Sequence, residues 1–478
     1  MRATNRSRFS TVYLTILIVS APGFGQHKGR ADRAAEVKID RFVRNEMLAH
    51  EIPGVSLAVL RKGKIILLKS YGFANVEHQV PIKPSTIFQS GSIGKQFTAA
   101  VVMILVQENK LALDDKISKY FPDAPPRWKD ITVWHLLTHT SGLGDYPADI
   151  DLRLDYTEEQ YFESFKKAPL DFAAGSNWNY SNVGYVILGM LIRKVTGKYY
   201  GDVLQERVFK PVGMTTARVI SEADIVPNRA AGYHLVNGRL KNQAWVSPST
   251  NSTADGSLYL SILDLAKWDA ALYANQPLTQ SSREKIWTPA KLTNGTTKDY
   301  GFGWHLAELH CRRMVFHGGA WQGFKSFIVR FLDTDLTIIF LANSWETRDF
   351  KFVRGLAASF YPDFALPNVK TIPDSEPRIT SLVRRALMGV VTGKLEEQLF
   401  TADTRAVIAG SHGKQMQQSL NSFNLPVAVI HTSELVERKV ENNVRVYRYL
   451  LTDVGRSLLC DIKLTPDDKV SSIQLAEL

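Results

Sequence analysis

Two hydrophobic periods alternate along the chain. From Ala34 to His50 apolar residues recur at helical spacing and predict a first helix. Val55 to Arg61 and Lys64 to Tyr71 are strand-like runs on either side of Lys62-Gly63, a hairpin signal. A polar stretch with Pro81 and Pro84 leads into Phe88-Gln89-Ser90-Gly91-Ser92-Ile93-Gly94-Lys95-Gln96-Phe97. There the pattern turns helical, with Phe97, Val101, Met103, Ile104 and Leu105 at helical spacing. A short helix is expected after Thr132, ended by Ser141-Gly142. Longer ones are expected over Leu152 to Lys167, Val183 to Thr196, Tyr200 to Phe209, Leu263 to Tyr273 and Ser281 to Trp287. From Tyr300 the pattern becomes strand-like: Gly301 to Glu308, Arg312 to His317, Phe324 to Phe331, Leu336 to Asn343. His317-Gly318-Gly319-Ala320-Trp321-Gln322-Gly323 reads as a turn whose glycines let backbone approach a ligand. A helix from Arg348 to Phe360 closes this region.

Pro362, Pro367, Pro373 and Pro377 punctuate a linker without periodicity. Beyond it, Ile379 to Leu399 reads as a helix, and Leu435 to Val440, Val444 to Thr452 and Ser457 to Leu464 as strands. Asn442-Asn443 and Pro466-Asp467-Asp468 supply the turns between strands. The expected organisation is a main domain over 30–360, a linker over 361–378 and a small α+β accessory domain with an antiparallel sheet over 379–478. A chain of 478 residues is long enough for both.

The first residues have a different character. Arg2, Arg6 and Arg8 precede an apolar run from Thr11 to Val19, then Pro22, Gly23, Phe24 and Gly25. That order predicts a signal peptide over residues 1–25 and a secreted or periplasmic protein; the alternative is an uncleaved membrane anchor. No later run of about 20 apolar residues predicts a membrane span. The formal net charge of +11 falls to +8 without the three leader arginines. The excess is dispersed, and no run of basic and aromatic residues predicts a nucleic-acid groove. Two cysteines, Cys311 and Cys460, exclude a disulfide scaffold; Cys460 reads as a packed core thiol, though pairing of the two remains open.

The candidate chemistry begins at Ser92. Lys95 follows three residues later, so both side chains share one helical face. A serine beside an amine is an activatable nucleophile, and the serine N–H at a helix start points toward a developing oxyanion. The same spacing also suits an N-cap serine with a solvated lysine. A Walker A loop is excluded because Gln96 follows Lys95, and a nucleophile elbow because Ser90 stands where glycine is required. Asn177-Trp178-Asn179-Tyr180-Ser181-Asn182 is a polar loop feeding a helix, a suitable place to hold side chains over a pocket or simply a surface turn. No metal ligand spacing is present, so no metal and no cofactor is expected.

Ser92-x-x-Lys95, Tyr180-Ser181-Asn182 and His317-Gly318-Gly319 occur in that order. Together they resemble the penicillin-recognising serine hydrolases: class C β-lactamases, D-alanyl-D-alanine carboxypeptidases and related esterases. Leu136-Leu137-Thr138-His139-Thr140-Ser141-Gly142-Leu143 and Tyr300-Gly301-Phe302-Gly303-Trp304 also look like that family. The resemblance spans about residues 35–360. It implies an α+β fold: one lobe an antiparallel sheet with flanking helices, built from both ends of the domain, and an all-helical lobe over about residues 95–280. It implies a serine hydrolase acting through an acyl-enzyme on Ser92, with Lys95 or Tyr180 taking its proton. It further implies an oxyanion hole at the N–H groups of Ser92 and Ala320, with Asn182, His317 and Gly319 lining the substrate site.

Two departures stand out. His317 replaces the lysine of β-lactamases, which implies uncharged acyl substrates, esterase or D-amino-acid peptidase-like rather than true β-lactam hydrolysis. Ala254-Asp255-Gly256-Ser257 stands where many relatives carry paired glycines. The expected partner is a small-molecule or peptide substrate. The competing function is a catalytically inert envelope binding or sensor protein that uses the same cleft.

Overall fold

The computed structural model describes residues 30–309, 312–365, 369–410 and most of 413–477, leaving out 414–415, 418–419, 421–432, 442–443 and 453–456. The leader reading over residues 1–25, Cys311 and the Asn442-Asn443 turn lie outside the described residues.

Helix α1 (Arg30–Ala49) precedes three strands: β1 (Gly54–Arg61), β2 (Lys64–Asn75) and the short β3 (Val80–Pro81). Lys62 and Gly63 both take positive φ, 50° and 71°, the two-residue turn that matches strand twist. Four more strands come from far along the chain: β4 (His305–Leu309), β5 (Arg312–Trp321), β6 (Phe324–Phe331) and β7 (Leu336–Ala342). All seven form one antiparallel sheet in the order β4-β5-β6-β7-β1-β2-β3. The two ends of the unit meet where β1 pairs with β7, Val55 opposite Ala342 and Leu57 opposite Phe340.

Both faces of the sheet are covered, so its central strands are apolar at nearly every position rather than alternating. On one face Leu57, Val59, Phe316, Phe327 and Phe340 pack under α1 and a second helix, Asp349–Ala357, that follows β7. On the other face Ala58, Leu60, Val315, Ile328 and Ile339 meet the residues between β3 and β4. That insert carries the helices Gly94–Gln107, Val133–Leu137, Glu158–Lys167, Asn182–Thr196, Ile262–Tyr273 and Gln280–Ile286, among others. It is mainly helical but not wholly so. Ile87–Gln89 and Arg218–Val219 pair with Leu258–Ser261, and Tyr233–Val236 pairs with Arg239–Asn242.

Three expected elements differ. The helix expected from Leu152 starts only at Glu158, because Thr157 caps it: its side chain accepts from the Gln160 N–H while Gln160 reaches back. The strand expected from Gly301 starts at His305; Gly303 takes φ +73° and lies against the backbone of Lys95 and Gln96. The glycine-rich turn after His317 is not a turn. Strand β5 runs through it to Trp321, and only Gln322-Gly323 turn the chain.

Beyond the prolines, the helix Pro377–Thr392 ends earlier than expected, at Gly393 with φ +70°. Four antiparallel strands follow, Glu434–Glu441, Val444–Thr452, Ser457–Leu464 and Val470–Glu477, paired in sequence order. The last was not expected: Ser471, Ser472 and Gln474 dilute its apolar pattern, although Ile473 is buried. Val383, Leu387, Tyr447, Cys460 and Ile462 share a core that belongs to this part alone. Cys460 is a free, buried thiol. Among the described residues no helix is long and apolar enough to cross a membrane.

Candidate active site

Ser92 sits in a single 3₁₀ turn, Gly91–Ile93, that runs directly into the helix Gly94–Gln107. The turn is clamped on two sides. Gly91 takes φ +50°, and a Cβ there would stand 2.5 Å from the Ala320 nitrogen of β5. A Cβ on Gly319 would overlap the Ser90 carbonyl oxygen. The Ser326 hydroxyl donates to that same oxygen at 2.5 Å, and the Ser90 hydroxyl donates to the Gly256 carbonyl at 2.8 Å. Backbone contact of this closeness is possible only with glycine on the strand. It brings the serine turn and the Gly319–Ala320 edge of β5 together. β4 ends its pairing with β5 at Phe316, so among the described residues no strand covers that edge of β5 from His317 onward.

Lys95, the second residue of the helix Gly94–Gln107, is completely buried. Its ammonium donates to Ser92 Oγ at 3.2 Å, to Asn182 Oδ1 at 2.7 Å and to the Asp255 carbonyl at 2.5 Å. It lies 4.9 Å from the centre of the Tyr180 ring and 5.5 Å from that of Tyr185. Burial pushes its pKa down to about 8, against the opposing pull of Asp255 and Asp145. The amine is therefore half neutral near pH 8 rather than near 10.5. The segment whose role was open, Ala254 to Ser257, is the wall beside it: Thr98 Oγ1 donates to the Ala254 carbonyl at 2.7 Å. Asp255 itself takes a bond from Thr253 Oγ1 at 2.6 Å, and burial raises its pKa.

Asn182 opens the helix Asn182–Thr196, whose N-cap is Ser181. Its amide donates to Asp145 Oδ2 at 3.2 Å, so one side chain ties the lysine to an exposed acid. Tyr180 is two residues earlier. Burial raises its pKa well above 10, an effect the nearby Ser92 hydroxyl only partly offsets. Its hydroxyl has no hydrogen bond of normal geometry among the described residues. Of the two candidate bases, Lys95 is thus the one that reaches a neutral form near pH 8, while Tyr180 keeps its proton.

His317 is buried on β5 with both ring nitrogens engaged. Nδ1 is 2.6 Å from the Gly318 carbonyl, a pure acceptor, so Nδ1 carries the proton. Nε2, 3.0 Å from the Tyr300 hydroxyl, must then accept from it. Burial lowers the His317 pKa to about 3, with Lys95 adding to the effect. His317 is thus neutral, and its one N–H is spent on its own neighbour's carbonyl, which leaves no donor for substrate. Three residues with no assigned role in the sequence reading also belong here: Tyr300, His139 and Asp145. The first two stood in motifs already noted, but nothing in their local pattern says which partner each would meet.

The Beta-lactamase family model matches residues 39–360. The chain belongs to the Beta-lactamase family. Among curated relatives, "Penicillin-binding protein 4*" of Bacillus subtilis is 30% identical over 320 residues, 63% of this chain and 70% of that one. A "D-aminopeptidase" of Gluconobacter oxydans is 27% identical over 64% of this chain but only 59% of its own length. Two solved structures share the fold. An octameric penicillin-binding protein homologue from Pyrococcus abyssi has TM-score 0.61 at 23% identity, covering 93% of this chain and 98% of its own. A D-amino acid amidase from Ochrobactrum anthropi has TM-score 0.60 at 24% identity, covering 70% and 99%. By class this Beta-lactamase family member is a serine hydrolase.

Proposed function

We propose that this protein hydrolyses an amide or ester through a covalent acyl-enzyme on Ser92. The observation that carries the reading is Lys95, buried, with its nitrogen 3.2 Å from Ser92 Oγ and 2.7 Å from Asn182 Oδ1. In its neutral form Lys95 accepts the Ser92 proton as Oγ attacks the acyl carbon. The oxyanion forms between the N–H groups of Ser92 and Ala320, at the clamp between serine turn and strand. The proton then passes to the leaving amine or alkoxide, with protonated Tyr180 as a second donor in reach of Ser92. Water attacks the acyl-enzyme with Lys95 again as base. Buried Lys95 held against both Ser92 and Asn182 argues against an inert sensor built on the same cleft.

The substrate side of the site favours acyl groups without a free carboxylate. His317 is neutral and carries no cation to pair with one. Asp145, exposed and bonded to Asn182, favours an amine at that end instead, which fits D-aminoacyl amides. Names of relatives such as the D-aminopeptidase support this choice. The test compares kcat/KM for D-alanine p-nitroanilide, p-nitrophenyl butyrate and nitrocefin at pH 6 and pH 8. The amide and ester are expected to exceed nitrocefin at both. Efficient nitrocefin turnover at pH 8 would reverse the substrate reading. The basic, apolar leader supports export, and we place the protein in the periplasm or outside the cell. N-terminal sequencing of the exported protein, starting near residue 26, tests this.

A further inference from the structure

His139 lies outside the proposed chemistry yet holds Tyr180 and both of its neighbours in the chain. Its backbone carbonyl accepts from the Asn179 N–H at 3.0 Å. Its ring Nδ1 accepts from the Ser181 N–H at 3.1 Å. These two donors are the residues immediately before and after Tyr180. Between them the imidazole packs against the tyrosine ring, tilted by 36° with centroids 4.3 Å apart. The far side of His139 packs against Tyr300 at 4.7 Å and Tyr185 at 5.2 Å. His139 is 1% exposed and takes φ +59°, a backbone state that a non-glycine residue keeps only where its surroundings hold it there.

From this geometry we infer that His139 is a positioning residue, a bracket that fixes the Tyr180 hydroxyl over Ser92 and Lys95. The inference rests on the acyl-enzyme reading above. The bracket requires Nδ1 as an acceptor, so the ring must be neutral with its proton on Nε2. Burial and the neighbouring Lys95 and His317 keep it neutral, far below the usual histidine range. Nε2 itself has no partner among the described residues, so the Nδ1 bond is the ring's one polar contact to the protein. The Tyr180 hydroxyl likewise lacks a hydrogen bond of normal geometry. Its place is therefore held by its ring and its backbone, both of which His139 grips. A small tilt of the tyrosine would leave substrate binding intact and slow the proton transfers.

The experiment uses the full chain and two variants. His139→Leu removes the acceptor and keeps bulk. His139→Asn keeps an acceptor at the same distance along the side chain and tolerates positive φ. The wild type is first labelled with a fluorophosphonate and its Ser92 adduct mapped. No adduct on Ser92 would sink the acyl-enzyme reading itself, before His139 is judged. With that adduct in hand, ester turnover is normalised to labelled sites, so misfolded protein does not count. His139→Leu is expected to lose about 100-fold in kcat with KM within about threefold, the scale of a displaced acid–base group. His139→Asn is expected to stay within about 30-fold of wild type. Wild-type kcat per labelled site in His139→Leu overturns the inference. So does an equal loss in both variants, which would make the ring's shape, not its acceptor, what matters. If His139→Leu yields no folded protein, His139→Asn decides alone: a loss beyond about 30-fold overturns the bracket.

Discussion

Lys95 is where burial becomes chemistry. Removing water from around its ammonium moves half-protonation from about 10.5 in solution to about 8 here. The base form is the neutral amine, so kcat/KM should rise with pH and level off above about 8, falling tenfold per unit below it. A second limb near 6.5 is not expected, because His317 titrates only near 3. A pH–rate profile on p-nitrophenyl butyrate checks both, and a midpoint near 6.5 would hand the role to a histidine. Lys95→Ala and Tyr180→Phe should each lower acylation at least about 100-fold, and the double variant should lose far less than the product. Ser92 and Lys95 were legible as residues because a helix puts positions three apart on one face. The partners of His317 were not: Tyr300 stands 17 residues away in sequence and meets it only through the sheet edge.

At the scale of elements, strand β5 shows what periodicity misses. Two glycines and a histidine read as a turn, yet the chain stays extended because its neighbour β6 pairs with it to the end, His317 opposite Ile328 and Gly319 opposite Ser326. The glycines serve closeness rather than bending. Gly319→Ala should therefore act through position: its methyl group would overlap the Ser90 carbonyl and the Ser326 hydroxyl. Overpacking of this kind costs about 1–3 kcal/mol, and here it pushes the Ala320 N–H away from Ser92. The expected result is a folded protein with kcat lowered about 100-fold or more, the scale of a lost oxyanion donor. Circular dichroism alongside turnover checks it; full activity would mean that the strand edge is not the oxyanion wall. The short helix Val133–Leu137 behind the Thr132 cap was easier to read, since its signal is local, whereas the equally strong Thr157 cap was masked by the apolar residues before it.

At the scale of the whole molecule the question is how far the last hundred residues belong to the site. They meet the family-matched part through polar contacts: Glu434 with Arg348 and Lys351, Ser457 with Arg354, and Lys394 with Asp171. The Lys394–Asp171 pair, 2.9 Å long, reaches the cleft side, since Asp171 also holds Asn179 beside Tyr180 at 2.9 Å. The lysine is 71% exposed, so the pair adds under about 1 kcal/mol to stability. The proline-rich stretch suggested a second unit in the sequence, and the described residues beyond it share an apolar core of their own; their contacts to the rest were not legible, because surface charges carry no periodic signal. An amidase chain with this fold corresponds, over nearly its whole length, to 70% of this chain, so the fold closes without such an addition. A fragment of residues 26–365 is therefore expected to be soluble, to melt cooperatively and to turn over p-nitrophenyl butyrate within about tenfold of the full chain. It should melt earlier than the full chain, because buried Arg354 loses its bond to Ser457. An insoluble fragment, while the full chain folds, would show instead that the final residues complete the core that carries Ser92.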